Sequence, residues 1–346
     1  MNMHSAKLKE FRQALAGAGL DGYAVTEKLD LGYLTGYHME GYMILAGRKN
    51  AFAFLPVMLL DQFRQRVDFC GTVKADDQVA ALLDAVKKNR MKKIGFDPDM
   101  ESYSRGRIWA KNGFIAKPGL VVSLREIKKA DEISALRKAC GIAAAAVDAA
   151  VKTVRPGIAE SALKKYIEDK MRDMGAEGPS FDTIIAFGSN AALPHHCTSQ
   201  RRLRKNEAVL IDTGCVYRHY RSDITRTFFF GRPGPEFQKV YSIVERSHSA
   251  GIRKVGNGVP AKDVDSACRE VIIKEGYGDK FIHGTGHGIG LEIHESPRLN
   301  SRSKTVLKTG MTVTVEPGIY LNGKFGVRIE DSVLVTDKGC EIMSRD

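Results

Sequence analysis

Carboxylates stand against apolar, strand-like runs at four places, and that placement constrains the chain more than its composition does. Val209-Leu210-Ile211 leads directly into Asp212, and Asp223 immediately precedes a second run, Ile224 to Phe230. The intervening Gly214 to Ser222 is short enough to join two antiparallel strands, so both acids can face each other across one hairpin. Further on, Thr312 to Glu316 alternates: Val313 and Val315 share one face, and Glu316 lies on the other with Thr312 and Thr314. Val327 to Val333 alternates too, with Val327, Ile329 and Val333 on one face and Glu330 opposite, beside Arg328 and Ser332. Taken singly, an acid at a strand end reads as a turn residue, and one on a half-exposed strand reads as a solvated group.

Between these pairs lies His283-Gly284-Thr285-Gly286-His287-Gly288-Ile289-Gly290. A nucleotide-binding G-x-G-x-x-G register from Gly284 meets Ile289 at its last position, and no helix signal follows. Glycine at every second position instead lets the backbone pack closely around His287. Four carboxylates and a histidine on adjoining strands need a common explanation. Burying several carboxylates without cations costs several kcal/mol per charge. Two divalent cations balance the four negative charges of Asp212, Asp223, Glu316 and Glu330, and an oxygen-rich donor set favours Mn²⁺, Co²⁺ or Fe²⁺ over a thiolate-type structural zinc site.

The rest of the chain sets the frame. Its 346 residues suggest about two domains. Residues 1–122 alternate short strands with helices and read as an α/β domain. They open on an amphipathic helix over Met1 to Gly19, which is not a secretory signal, and end near the punctuation Pro118-Gly119. Residues 123–346 begin with alanine-rich helices and become strand-dominated from Phe181, an α+β domain. The net charge of +12 is scattered. The clusters Lys87 to Lys93 and Arg201 to Lys205 lack interleaved aromatic residues, which argues against nucleic acid as a partner. No stretch approaches the ~20 apolar residues of a membrane span. Six cysteines, far apart and without a C-x-x-C pair, fit a reducing, cytoplasmic setting.

The motifs Ile211-Asp212-Thr213-Gly214, Ser222-Asp223-Ile224-Thr225-Arg226-Thr227, Gly286-His287-Gly288-Ile289-Gly290, Glu316-Pro317-Gly318 and Arg328-Ile329-Glu330-Asp331 resemble, in order and context, the five ligand motifs of the pita-bread metallopeptidases. That family includes methionine aminopeptidases, aminopeptidase P and prolidase. The resemblance runs from about Arg125 to the C-terminus. Asn190-Ala191-Ala192-Leu193-Pro194-His195 and Leu291-Glu292-Ile293-His294-Glu295 resemble segments of the Xaa-Pro branch, and Tyr33-Leu34-Thr35-Gly36 resembles its creatinase-like N-terminal domain.

The resemblance implies a creatinase-like α/β domain followed by a pita-bread catalytic domain, usually as a homodimer. It implies two divalent metal ions, with Mn²⁺ favoured and Co²⁺, Fe²⁺ or Zn²⁺ as alternatives, held by Asp212, Asp223, His287, Glu316 and Glu330. These ions would lower the pKa of a shared water. Glu316 would also shuttle a proton, and His195 and His294 would stabilise the oxyanion, with His196 the weaker candidate for the first role. Phe181, Ile293 and His294 resemble residues lining a proline pocket, and Arg298 resembles an arginine that pairs with a dipeptide's carboxylate. Cleavage before proline in Xaa-Pro dipeptides is therefore slightly favoured over aminopeptidase P action on longer peptides. Methionine aminopeptidase-like activity, a metal-free creatinase-like hydrolase and a non-catalytic binding protein rank lower.

Overall fold

The computed structural model describes residues 3–345 and divides into two compact units, Met1–Arg125 and Glu126–Asp346. The amphipathic helix expected from Met1 spans Met3–Gly17, and the reading at residues 1 and 2 lies outside the described residues. The boundary expected at 122/123 falls inside a helix, Leu120–Glu126. Pro118-Gly119 leads into that helix, and the Gly119 amide donates to Asp97.

The first unit is a six-stranded mixed sheet of β1 (Gly22–Val25), β2 (Met43–Gly47), β3 (Ala51–Leu55), β4 (Gly71–Lys74), β5 (Ile94–Phe96) and β6 (Ile115–Ala116), in the order β4-β3-β2-β1-β5-β6. Antiparallel pairing of β2 with both β1 and β3 interrupts the parallel pairs β1–β5, β5–β6 and β3–β4. Its core gathers Leu45, Phe54, Leu82, Ile94 and Trp109.

In the second unit, helices α1 (Ala130–Val151) and α2 (Glu160–Asp173) back a sheet built from β8 (Ile184–Phe187), β9 (Glu207–Thr213) and β12 (Ile224–Phe230). A small sheet joins β7 (Gly178–Pro179), which precedes β8, to β10 (Cys215–Tyr217) and β11 (Tyr220–Arg221), which fall between β9 and β12 in sequence. Ala143, Ala146 and Val147 of α1 and Leu163 and Ile167 of α2 pack on Ile185, Val209 and Ile211. The alanine-rich stretch thus supplies small side chains that let helix and sheet approach closely.

The second half repeats the plan with different residues. Helices α3 (Pro235–Lys254) and α4 (Ala261–Lys274) cover β13 (Gly286–Gly288), β14 (Glu295–Leu299), β15 (Thr312–Val315), β18 (Asp331–Thr336) and β19 (Gly339–Ile342), with the hairpin β16 (Gly318–Leu321) and β17 (Phe325–Arg328) beside them. Val240, Val244, Val264 and Ile272 meet Val313, Val315, Val327 and Val333.

Period-two alternation then decides what faces away from the helices. With Val209 and Ile211 in the core, Asp212 lies on the other side of β9, and with Val313 and Val315 in the core, Thr314 and Glu316 do the same. These strands are buried on both faces, so the acids are not solvated surface groups. One expectation is overturned: Val327 to Val333 is not a continuous strand. It breaks at Ile329-Glu330, where the chain leaves the β16–β17 hairpin and enters the β15–β18 pairing. The Glu330 amide donates to the Thr225 carbonyl at that crossing, 3.1 Å away.

The glycines around His287 are steric requirements. A Cβ at Gly286 would overlap the Thr314 carbonyl oxygen, and one at Gly288 would overlap that of Ser296. Gly286→Ala is expected to destabilise the second unit by about 2–4 kcal/mol, because backbone rather than a flexible side chain must yield. Denaturant unfolding monitored on that unit provides the check.

Candidate metal centre

All ten residues singled out from the sequence line one cavity of about 430 Å³. Asp212, Asp223, His287, Glu316 and Glu330 are joined there by Phe181, His195, Ile293, His294 and Arg298. The acids come from separate segments: the end of β9, the residue before β12, the residue after β15, and the crossing between β17 and β18. Ligand atoms of Asp223, His287 and Glu330 lie within 4.8 Å of one another. The His287 Nε2 is 3.6 Å from Asp223 Oδ2 and 3.4 Å from Glu316 Oε1.

The donor set is poised for cations. Asp212 Oδ1, Asp223 Oδ1 and Glu330 Oε1 are buried with no hydrogen-bond partner among the described residues. Such oxygens are costly unless something positive meets them. On His287, Nδ1 lies 3.0 Å from the Gly288 carbonyl. Since a carbonyl only accepts, the proton belongs on Nδ1, which leaves the Nε2 lone pair facing the acids. Burial, reinforced by the neighbouring His294 ring, depresses the His287 pKa to about 3, so the ring is a neutral donor. These features fit a pair of divalent cations shared by the five residues.

Electrostatics tell the same story. Burial, with the surrounding carboxylates adding to it, raises the pKa of Asp223 and Glu330 well above the usual range. Glu316 is pushed up to about 8, mainly by burial, with Arg328 pulling the other way and Asp212 adding to the rise.

Several residues of the site were not singled out from the sequence. The buried Arg328 guanidinium donates to Asp212, to Tyr320 Oη at 2.8 Å and to Thr225 Oγ1 at 3.1 Å. Thr225 Oγ1 in turn donates to Glu330 Oε2 at 2.7 Å. His283 Nε2 lies 2.8 Å from Tyr320 Oη. Arg328, Thr225 and His283 sit inside the motifs already quoted, so their neighbourhood was visible although their partners were not. Tyr320 carried no signal, being an aromatic residue on an ordinary strand. At the rim, His195, His294 and Arg298 are exposed, whereas His196 turns away to Glu160, at 2.9 Å.

The elevated carboxyl pKa values fix the sign of a pH effect in the metal-free protein. Such groups bind more protons folded than unfolded, so stability falls as pH rises from the ordinary carboxylate range through about 8. Histidines with depressed pKa values act oppositely, but only below about 6.5. From pH 7 to 8.5 the carboxylates therefore dominate. The melting temperature of chelated protein should drop by roughly 3 °C or more over that interval, and saturating Mn²⁺ or Co²⁺ should remove the slope and raise the melt. Scanning calorimetry reads both.

Comparison with known proteins follows the same division of the chain. Residues 134–337 match the model of metallopeptidase family M24, and residues 7–127 match that of the creatinase/prolidase N-terminal domain. A Xaa-Pro dipeptidase of Pyrococcus furiosus is 45% identical over 226 residues, an alignment covering 65% of this chain and 65% of that protein. Among solved structures, a Xaa-Pro dipeptidase from Bacillus anthracis superposes with a TM-score of 0.95 at 36% identity, covering 99% of this chain and 98% of that one. An X-Pro aminopeptidase from Thermotoga maritima does so with a TM-score of 0.88 at 33% identity, covering 96% and 98%. The chain is a member of metallopeptidase family M24, with a creatinase-type N-terminal domain and a pita-bread catalytic domain.

Proposed function

We propose that this protein hydrolyses the bond before proline in Xaa-Pro dipeptides. The observation that carries the reading is the convergence of five ligand-type side chains, three with orphaned buried oxygens, on a cavity whose rim holds Arg298. The likeness to the Xaa-Pro dipeptidases of P. furiosus and B. anthracis supports the substrate class. Action on longer peptides is the second reading, favoured by the likeness to the T. maritima X-Pro aminopeptidase.

Asp212, Asp223, His287, Glu316 and Glu330 would hold two divalent cations, Mn²⁺ by preference and Co²⁺, Fe²⁺ or Zn²⁺ otherwise. When bound, these supply the positive charge that acidifies a water and polarises the scissile carbonyl. The remaining work falls to side chains. Glu316 takes the proton of the attacking water and returns it to the proline nitrogen as the C–N bond breaks, a task suited to a carboxylate that lines the cavity beside the other acids. His195 and His294 donate to the developing oxyanion. Burial, with Arg298 and His195 adding to it, lowers the His294 pKa, which keeps that ring neutral at pH 7. Proline offers no amide proton, so recognition falls to shape, with Phe181 and Ile293 as half-buried apolar walls.

Arg298 faces His287 across the β13–β14 pairing, on the exposed side of the cavity. Its planar fork suits a terminal carboxylate, which a dipeptide places one residue beyond the scissile bond. The six cysteines, all free thiols, support a reducing compartment such as the cytoplasm. Among the described residues no helix is long and apolar enough to cross a membrane. The homodimer rests on family resemblance.

With Mn²⁺ or Co²⁺ added, Xaa-Pro dipeptides should be cleaved faster than Xaa-Pro-Xaa tripeptides, and Met-Ala hardly at all. Arg298→Ala should raise KM for the dipeptide about tenfold or more, in line with the loss of one charge-assisted pair, and leave the tripeptide nearly unchanged. An unchanged dipeptide KM would remove the carboxylate clamp, and a tripeptide preference in the parent protein would favour the aminopeptidase reading.

A further inference from the structure

His195 makes no hydrogen bond among the described residues, yet it lines the cavity from a segment with little regular structure. Only a short 3-10 turn, Gly188–Ala192, precedes it, and no helix or strand follows before Glu207. Something other than secondary structure must fix where this ring points.

Glu160, the first residue of α2, lies wholly buried behind that segment. Its Oε1 accepts from the Phe187 amide at 2.9 Å and from Asn190 Nδ2 at 2.8 Å. Its Oε2 accepts from the Ser199 amide at 3.0 Å and Ser199 Oγ at 2.6 Å, and lies 2.9 Å from His196 Nε2. One carboxylate thereby grips the residue before the 188–199 segment, the segment's last residue, and two side chains within it. Burial alone would raise its pKa, but these hydrogen bonds, with Ser199 and His196 first among them, hold it below the usual range. The anchor is therefore an anion at working pH.

The other side of the segment is equally constrained. A Cβ at Gly326 would overlap the Ala191 carbonyl oxygen. Gly326 lies on β17, two residues before Arg328, so the segment is seated directly on the strand that reaches Asp212. Thr198 Oγ1 adds a stitch, accepting from the Ile185 amide at 2.9 Å and donating to the Thr183 carbonyl at 2.8 Å.

We propose that Glu160 is a positioning residue for catalysis: through Ser199, His196, Asn190 and Phe187 it holds the 188–199 segment so that His195 faces the reacting carbonyl and its neighbour His196 serves as the pin. This rests on the reading that His195 contacts the substrate. Glu160 itself touches neither substrate nor metal ligands. Its chemistry explains why a carboxylate is needed there. The Ser199 amide can only donate, so an amide nitrogen in place of Oε2 sets donor against donor there and loosens that end of the segment, while the other oxygen keeps Phe187 and Asn190.

The test uses Glu160→Gln in the full chain. It should lower kcat for a Xaa-Pro dipeptide by 10- to 100-fold with KM changed less than threefold and metal content unaltered. Amide exchange should accelerate in residues 188–199 without a change in the strands that carry the acids. The discriminating measurement is a double-mutant cycle with His195→Ala: the double variant should be no slower than His195→Ala alone, because a ring that is absent cannot be misplaced. His196→Gln, which keeps a donor toward Glu160, should retain most of the turnover that His196→Ala loses. If Glu160→Gln fails to melt cooperatively, Ser199→Ala and His196→Ala each carry the same cycle.

Wild-type turnover in Glu160→Gln, or losses that multiply with His195→Ala, overturn the positioning role while leaving the proposed function intact. Wild-type turnover in His195→Ala overturns the role given to that histidine and this proposal with it.

Discussion

Negative charge in a dry place is the constraint on which the rest of the second unit depends. Four carboxylates converge with one neutral imidazole, and the buried cation Arg328 offsets only one of the four charges. Everything nearby is arranged around that imbalance. Threonines 225 and 314 point hydroxyls at Glu330 and Glu316, and the two helix pairs close off the opposite faces of the strands. Arg328 also changes the charge count made from the acids alone. Two divalent cations with four carboxylates come to zero, but with the guanidinium they leave one positive charge, the sign that suits an oxyanion forming in the cavity.

The fold serves this by building the site from sheet surfaces rather than from loops alone. Strand β9 carries Val209 and Ile211 inward to a helix pair and Asp212 outward, and β15 carries Val313 and Val315 inward and runs directly into Glu316, so the same alternation that makes the core aims these acids at the cavity. Strand-borne groups are held by ladders of main-chain bonds, which suits ligands that repel one another when bare. The groups proposed to meet substrate sit on irregular segments at the rim, and these need their own braces. Glu160 braces the His195 segment. The buried pair Lys128–Glu295, 2.6 Å apart, stands directly beside His294 on the other wall.

Legibility in the sequence divided along the same line. The five residues that converge on the cavity were readable because each carries its local context: an acid breaking an apolar run, or a histidine flanked by glycines that only close backbone packing requires. The alanine-rich helical start of the second unit, Ala130–Val151 in the structure, followed from composition. What periodicity could not show was the break at Ile329-Glu330, because both adjoining sheets are buried and alternation persists across the switch. Nor could it show partners distant in the chain. Arg328 and Asp212 are separated by 116 positions and Ser199 and Glu160 by 39, and nothing in an isolated arginine or glutamate announces which distant group will meet it. Tyr320 looked like any strand aromatic until His283 and Arg328 were placed around its hydroxyl.

The orphaned oxygens of Asp212, Asp223 and Glu330 have a bearing on the life of the protein in a cell. A chain folded without its ions keeps these oxygens buried and unmet, at a cost in stability, and opens more often, and transient opening is what proteolysis samples. Abundance should then follow the supply of trace ions as well as gene expression, with quality control clearing copies that never became loaded.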